Sequence, residues 1–176
     1  MSRIRILKKG ITDLHIDTVV NAANTWLQQG RGVCGAIFAA AGPFQLQRAC
    51  DRIGGCPTGQ AVITPGFNLC RYIIHAVGPI YNDGHHGEPQ QLYSCYRNSL
   101  DLARQHDCHA IGFPLISAGI YGYPQKEAWR KALQAVNDWI NDNRDYEMEI
   151  QFAILSDSLI TMGKSMADEL GIVISE

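Results

Sequence analysis

The chain has 176 residues, 46% hydrophobic and 18% charged, which is enough apolar material to bury a core and too much for a disordered segment. With 15 basic and 17 acidic residues the formal net charge is −2, which argues against a general nucleic-acid binder working through a basic surface. No run reaches the ~20 apolar residues of a membrane span, and Met1-Ser2-Arg3-Ile4-Arg5 lacks the unbroken apolar stretch of a secretion signal, so the expected compartment is the cytoplasm with no membrane contact.

In chain order, residues 4–7 and 18–21 read as strands rich in Val and Ile. A glycine-rich stretch leads into one helix over 35–52. Strands follow at 60–64 and 72–77, then a surface excursion dense in turn residues from Asn82 to Pro89. Residues 90–106 repeat Leu92, Cys95, Tyr96, Leu100 and Leu102 at helical spacing, with Pro89 at the start. A strand at 110–115 precedes a helix over 124–141 that carries Trp129, Leu133, Val136 and Ile140 on one face. A strand at 149–155, a helix at 157–170 and a last strand at 172–174 complete the chain. Strands alternating with helices predict an α/β sandwich with a mostly buried sheet, one domain over 1–176.

The chemistry falls where strands hand over to helices. Val19-Val20-Asn21-Ala22-Ala23-Asn24 ends a strand in two asparagines, and Gln28-Gln29-Gly30-Arg31-Gly32-Val33-Cys34-Gly35 leads into a helix. Glycines let backbone N–H groups approach a ligand, and a helix start adds positive partial charge, so an anion site is one reading and an ordinary turn the other. The same arrangement recurs at Phe113-Pro114-Leu115-Ile116-Ser117-Ala118-Gly119-Ile120-Tyr121-Gly122-Tyr123-Pro124. Two such loops at the carboxyl ends of strands predict a crevice there. The Gly-Lys-Ser/Thr ending of a P-loop is missing, and Gly30, Gly32 and Gly35 lack the acidic partner of a dinucleotide fingerprint. A diphosphate held between the loops is the better reading.

These segments resemble the macro domain family, in particular its MacroD-type branch. The resemblance rests on Val20-Asn21-Ala22-Ala23-Asn24, Cys56-Pro57-Thr58-Gly59-Gln60-Ala61-Val62-Ile63-Thr64-Pro65-Gly66, Ile74-His75-Ala76-Val77-Gly78-Pro79 and Ile116 to Pro124, and runs from about Ile4 to Leu170. It implies a three-layer α/β/α fold with a mixed six- or seven-stranded sheet and an ADP-ribose cleft. Asn24 would contact the distal ribose. Asn21, Ala22, Gly30, Gly32, Val33 and Gly35 would line one side of the ligand. Ser117, Ala118, Gly119, Ile120 and Tyr121 would line the other, with Ile11 and Leu155 toward the base. The implied activity is hydrolysis of ADP-ribose esters, on acidic side chains of proteins or on O-acetyl-ADP-ribose, with neither metal nor cofactor. The implied partners are ADP-ribose and ADP-ribosylated protein.

The departures bear on mechanism. The family glycine loop commonly reads G-G-G-G-V-D-G-x-I-H, so Cys34 stands where the resemblance puts a catalytic aspartate, Phe38 where it puts histidine, and Arg31 where it puts glycine. Cys34 is a space-filling thiol, a thiolate favoured by the helix start and Arg31, or a redox-sensitive gate. Arg31 either contacts a phosphate or modified protein, or points to solvent. At the base end the family has Gly-Asp-Ile-Thr and a stacking aromatic, whereas this chain has Lys9-Gly10-Ile11-Thr12 and Leu155. Weaker adenine recognition is therefore expected. A non-catalytic reader of ADP-ribose and a domain adapted to another nucleotide-like ligand are the competing expectations.

His75, inside an apolar strand, is expected to be a hydrogen-bonded core residue, and His85 and His86 to be loop residues rather than metal ligands. The six cysteines contain no C-x-x-C pair, and apart from Cys34 they read as ordinary thiols. Tyr121 is expected over the distal ribose and Trp129 in the core, while Trp26 either lines the cleft or anchors its loop.

Overall fold

The computed structural model describes every residue, Met1–Glu176. Six strands, β1 (Arg3–Leu7), β2 (Thr18–Ala22), β3 (Ala61–Pro65), β4 (Tyr72–Ala76), β5 (Ala110–Phe113) and β6 (Glu149–Ala153), form one sheet in the order β1-β6-β5-β2-β4-β3. All neighbours are parallel except the β3–β4 pair, so the sheet is mixed. The five helices are α1 (Gly32–Ala41), α2 (Pro43–Ile53), α3 (Glu88–Gln105), α4 (Gln125–Asp142) and α5 (Asp157–Leu170). A short 3-10 turn, η1 (Ile11–Asp13), follows β1.

The two faces of the sheet carry separate cores. On one, α3, α4 and α5 cover a cluster of 29 buried residues. Trp129 and Trp139 are fully buried there, their indole N–H groups donating to Leu159 O at 3.0 Å and to Asp101 Oδ1 at 2.8 Å. On the other, η1, α1 and α2 cover a smaller cluster of 14 residues, which includes Cys34, Phe38, Cys50 and Val77. This is the three-layer arrangement expected.

Two expectations need correction. The helix expected over 35–52 is two helices, because Gly42 turns to φ +110° and Pro43, which has no N–H, opens α2. The segment 172–174 is not a strand. Only Ser175 N reaches β1, donating to Ile4 O at 2.8 Å, and a single bond makes no ladder, so the sheet stops at six strands.

The excursion 82–89 is ordered by a carboxylate. Glu88, at the start of α3, accepts from the backbone N–H groups of Asn82, Asp83, Gly84 and His86 at 2.6–3.1 Å. Enclosure raises its pKa, but these bonds outweigh that and bring it down to about 2. Asp83, His86 and Glu88 are close enough to share an ion, yet Asp83 is bonded to His85 N and His86 Nδ1, both at 2.8 Å. Their polar atoms are thus engaged in shaping the loop.

Candidate functional site

The parallel strands β1, β2, β4, β5 and β6 all end on the same edge, where open α/β sheets form a crevice. β2 and β5 are neighbours, so the loops that leave them face each other across it.

The first loop runs from Ala22, the last residue of β2, to Gly32. Leu27 is buried at φ +56° and pins its middle to the core. The Asn24 side chain folds back on this loop. Its Oδ1 accepts from Gln28 N and its Nδ2 donates to Gln28 O, both at 3.0 Å. Gln47 of α2 holds the next turn, its Oε1 accepting from Gln29 N at 2.9 Å and its Nε2 donating to Leu27 O at 3.1 Å. The chain then enters α1 with Arg31 as N-cap and no side chain bonded to the cap. Consequently the amides of Arg31, Gly32, Val33 and Cys34 have no backbone acceptor. Gly35 is required by close approach: a Cβ there would lie 2.8 Å from Gly30 O.

The second loop, Leu115 to Tyr123, is fixed by its neighbours. Ile116 N donates to the buried hydroxyl of Tyr96 at 2.9 Å. Ser117 adopts φ +66° and donates from Oγ to Pro79 O at 2.8 Å. Tyr123 N bonds Ser117 O, and Tyr81 N bonds Tyr121 O, both at 2.9 Å. Gly78 is a glycine because any side chain would strike Ser117 Oγ and Ile116 Cγ2. The amides of Ser117, Gly119, Ile120 and Tyr121 are left without backbone acceptors. Two sets of free donors, one at a helix N-terminus, therefore converge on one crevice, which is the chemistry of an anion site.

Cys34 lies at the floor. It is buried, and its thiol is raised above its ordinary pKa by that burial, with a Gly30 backbone bond and the Asn21 side chain opposing the shift. Burial thus favours the protonated thiol and opposes a thiolate. Its sulfur makes only a long 3.7 Å contact to Gln28 O. Tyr121, half-buried, has its hydroxyl pKa raised by burial and then by the nearness of Cys34, which brings the two loops together. Below them Asn21 Nδ2 meets His75 Nδ1 at 3.1 Å, and Thr64 Oγ1 meets His75 Nε2 at 3.0 Å. Burial lowers the His75 pKa to about 4, so the ring is neutral and structural. Asn21 Oδ1 is buried without a partner.

Of the expected site residues, Asn21 and Ala22 end β2, Asn24 and Gly30 lie in the loop after it, Gly32, Val33, Cys34 and Gly35 open α1, and Ser117 to Tyr121 lie in the loop after β5. Ile11 is buried in η1, and Leu155 is exposed past β6; both lie on the β6–β1 side of the two loops. Trp26 is 75% exposed, so it does not anchor its loop by burial. Sequence reasoning missed Gln47 and Tyr96, which hold the loops from α2 and α3. Neither lies in a motif, and each reads as an ordinary position on its helix.

A sheet of this order with two glycine loops at the carboxyl ends of β2 and β5 defines a macro domain. The family model for the macro domain matches residues 20–132, and the chain belongs to that family. A macro domain-containing protein of Chlorobaculum tepidum is 50% identical over 155 residues, 88% of this chain and 89% of that protein. An O-acetyl-ADP-ribose deacetylase of Escherichia fergusonii is 49% identical over 144 residues, covering 79% of this chain and 81% of its own length. Among solved structures, the Oceanobacillus iheyensis macrodomain with ADP superposes with a TM-score of 0.88 at 37% identity, over 94% of this chain and 90% of that one. The Trypanosoma brucei macrodomain in complex with ADP-ribose gives 0.85 at 35% identity, over 93% of this chain and 68% of that one. No helix is long and apolar enough to cross a membrane.

Proposed function

We propose that this macro domain binds ADP-ribose and hydrolyses ADP-ribose esters, on acidic side chains of proteins or on O-acetyl-ADP-ribose. The observation that carries the reading is the pair of facing loops whose amides, those of Arg31 to Cys34 on one and of Ser117, Gly119, Ile120 and Tyr121 on the other, have no backbone acceptor. Together they suit a diphosphate with the distal ribose beside Asn24 and Tyr121. The relatives support the same ligand, since solved macrodomains carry ADP or ADP-ribose and one curated relative is named a deacetylase.

Turnover here has to proceed without an aspartate, because the position holds a protonated, buried thiol. The chemistry tolerates that. Where water attacks the ribose carbon of an acidic-side-chain ester, the carboxylate that leaves has a conjugate acid of pKa about 4 and needs no proton to depart; where it attacks the carbonyl of an O-acetyl ester, the ribose oxygen that leaves takes up the proton the water gives up. What remains is to place a water, a task suited to Asn24, the loop amides and the diphosphate of the substrate. Preorganised donors at a dry site contribute several kcal/mol of barrier lowering through position and electrostatics. Cys34 in this scheme fills space and keeps bulk water from beneath the ribose.

The competing reading is a binding module without turnover. It is favoured by the thiol at position 34 and by Asn24, whose amide is tied to Gln28 rather than directed into the open crevice. One experiment separates them. A glutamate-linked, mono-ADP-ribosylated protein is incubated with wild type, Asn24→Ala, Cys34→Ala and Cys34→Asp, with ADP-ribose calorimetry on each. The hydrolase reading expects label loss by wild type and Cys34→Ala, and little by Asn24→Ala. ADP-ribose binding without label loss, with activity gained in Cys34→Asp, would establish the reader instead. Absence of ADP-ribose binding would remove both.

A further inference from the structure

Charge is unevenly spread along the chain. Residues 18–82 hold four arginines, Arg31, Arg48, Arg52 and Arg71, against the single acid Asp51, a net of +3 within a chain of net −2. Arg48 and Arg52 stand one turn apart on α2, with Phe44 a turn before them, on the side away from the buried Leu46, Ala49 and Cys50. All three are exposed, Phe44 to 86%. The neighbouring stripe of α2 lies against the first loop of the crevice. Gln47 bonds Leu27 and Gln29, and Asp51 Oδ1 accepts from Gln47 Nε2 at 2.9 Å and from Gln28 Nε2 at 3.3 Å. The turn after α2 joins the same loop through Cys56 N, which donates to Thr25 O at 2.9 Å. The arginine stripe therefore runs alongside the loop that carries the exposed Trp26 and Arg31.

These arginines are uncommitted. Whereas Arg3, Lys8, Arg97, Arg104 and Arg130 are paired with carboxylates, the exposed side chains of Arg31, Arg48 and Arg52 enter no hydrogen bond or ion pair. Across the crevice the sign reverses. Tyr81, bonded to Tyr121 of the second loop, leads into the excursion that holds the carboxylates of Asp83 and Glu88. With the distal ribose between Asn24 and Tyr121, a chain esterified to it leaves between the two loops. An acidic chain is repelled on the Asp83–Glu88 side and drawn to the arginine side. Arginines among exposed aromatic side chains are also the composition of a protein-binding surface.

We propose that the Phe44–Arg48–Arg52 stripe, with Trp26 and Arg31, docks an acidic polypeptide segment that flanks the ADP-ribosylated side chain. The inference rests on the ADP-ribose reading above and names the sequence context of its protein substrate. Alternate acidic residues of an extended segment lie about 7 Å apart, close to the rise of about 6 Å between Arg48 and Arg52 on their helix. Three arginines fall short of the continuous basic groove that tracks a nucleic-acid backbone.

The test uses peptides that carry ADP-ribose on a central glutamine, through an amide that ester hydrolysis leaves intact, flanked on both sides by glutamates or by serines. Calorimetry compares them with free ADP-ribose at low and at high salt. Wild type is expected to bind the glutamate-flanked peptide about fivefold more tightly than the serine-flanked one at low salt, and to bind the two within about twofold at high salt. Arg48→Gln/Arg52→Gln, at exposed helix positions, should bind free ADP-ribose as wild type does and lose most of the difference between the peptides. Arg48→Glu/Arg52→Glu should reverse it. Equal affinity for the two peptides in wild type, or a difference that survives both double variants, overturns the docking face and leaves the ADP-ribose reading intact. Unmodified single-stranded RNA bound tightly by wild type and not by Arg48→Gln/Arg52→Gln would give the face to nucleic acid and overturn the proposal. A wild type that binds neither ADP-ribose nor either peptide overturns both readings.

Discussion

The two loops that face each other across the crevice are built on different foundations. The second, Leu115 to Tyr123, is bolted to the larger core: Tyr96 holds Ile116 N, Ser117 holds Pro79 O, and Tyr81 N holds Tyr121 O. The first, Ala22 to Gly32, rests on the smaller core and is stapled by its own side chains and by Gln47, mostly at the surface. A rigid wall therefore faces a more yielding one. Arg31 lies on the yielding loop, and Cys34 and Phe38 are buried in α1, which follows it.

The largest effect should come from breaking the rigid wall. Gly78→Ala drives a methyl into Ser117 Oγ and Ile116 Cγ2, and is expected to cost about 3 kcal/mol in a urea titration, together with most ADP-ribose binding. Gly35→Ala, which presses on Gly30 O at 2.8 Å, should lower binding comparably but stability by only about 1 kcal/mol. Equal stability losses in the two variants would erase the distinction between the loops.

Acid sharpens the same comparison, because His75 lies beneath the first loop. Its folded pKa is lowered from 6.5 to about 4 by burial. Between those values the unfolded chain takes up a proton that the native one refuses, so stability falls as pH drops from about 6.5 and the loss levels off below about 4. The 2.5-unit gap corresponds to about 3 kcal/mol at the acid end. Urea midpoints at pH 7, 6 and 5 check it, since most carboxylates titrate below that window, and His75→Asn should flatten the slope.

Tyr96→Phe leaves the buried Ile116 N–H without its acceptor, and is expected to cost about 2 kcal/mol and to loosen the second loop, visible as faster amide exchange at 116–122. Asn24→Ala removes two bonds to Gln28 at the surface. The expected stability loss is about 1 kcal/mol or less, so any larger fall in ester hydrolysis reports on the ligand rather than on the fold. A stability loss as large as that of Tyr96→Phe would show that the first loop is as firmly founded as the second.

Much of this was legible in the sequence because it depends on local pattern. Alternation of apolar runs with helical spacing marked all six strands and the α/β class, the family resemblance supplied the three layers, and strand-to-glycine junctions marked both loops. Where the reading failed, a long-range fact decided. A helix pattern continued through Gly42-Pro43, but the torsions of that pair split it. Ile172 to Ile174 has strand composition, but the residues after α5 reach β1 through one bond. At the site, Cys34 could be named but not assigned a protonation state, which burial sets. Gln47 and Tyr96 carried no signal, since their work is done on loops distant in sequence.

By itself, then, the sequence determined the family, the α/β alternation and the position of the anion loops, because propensity, periodicity and motif act over a few residues at a time. The tertiary structure decided which groups in and beside those loops are free and which are already bonded: Cys34 a buried thiol, His75 a neutral strut and Asn24 a staple. Those outcomes depend on desolvation and on contacts between distant segments, which no local pattern encodes.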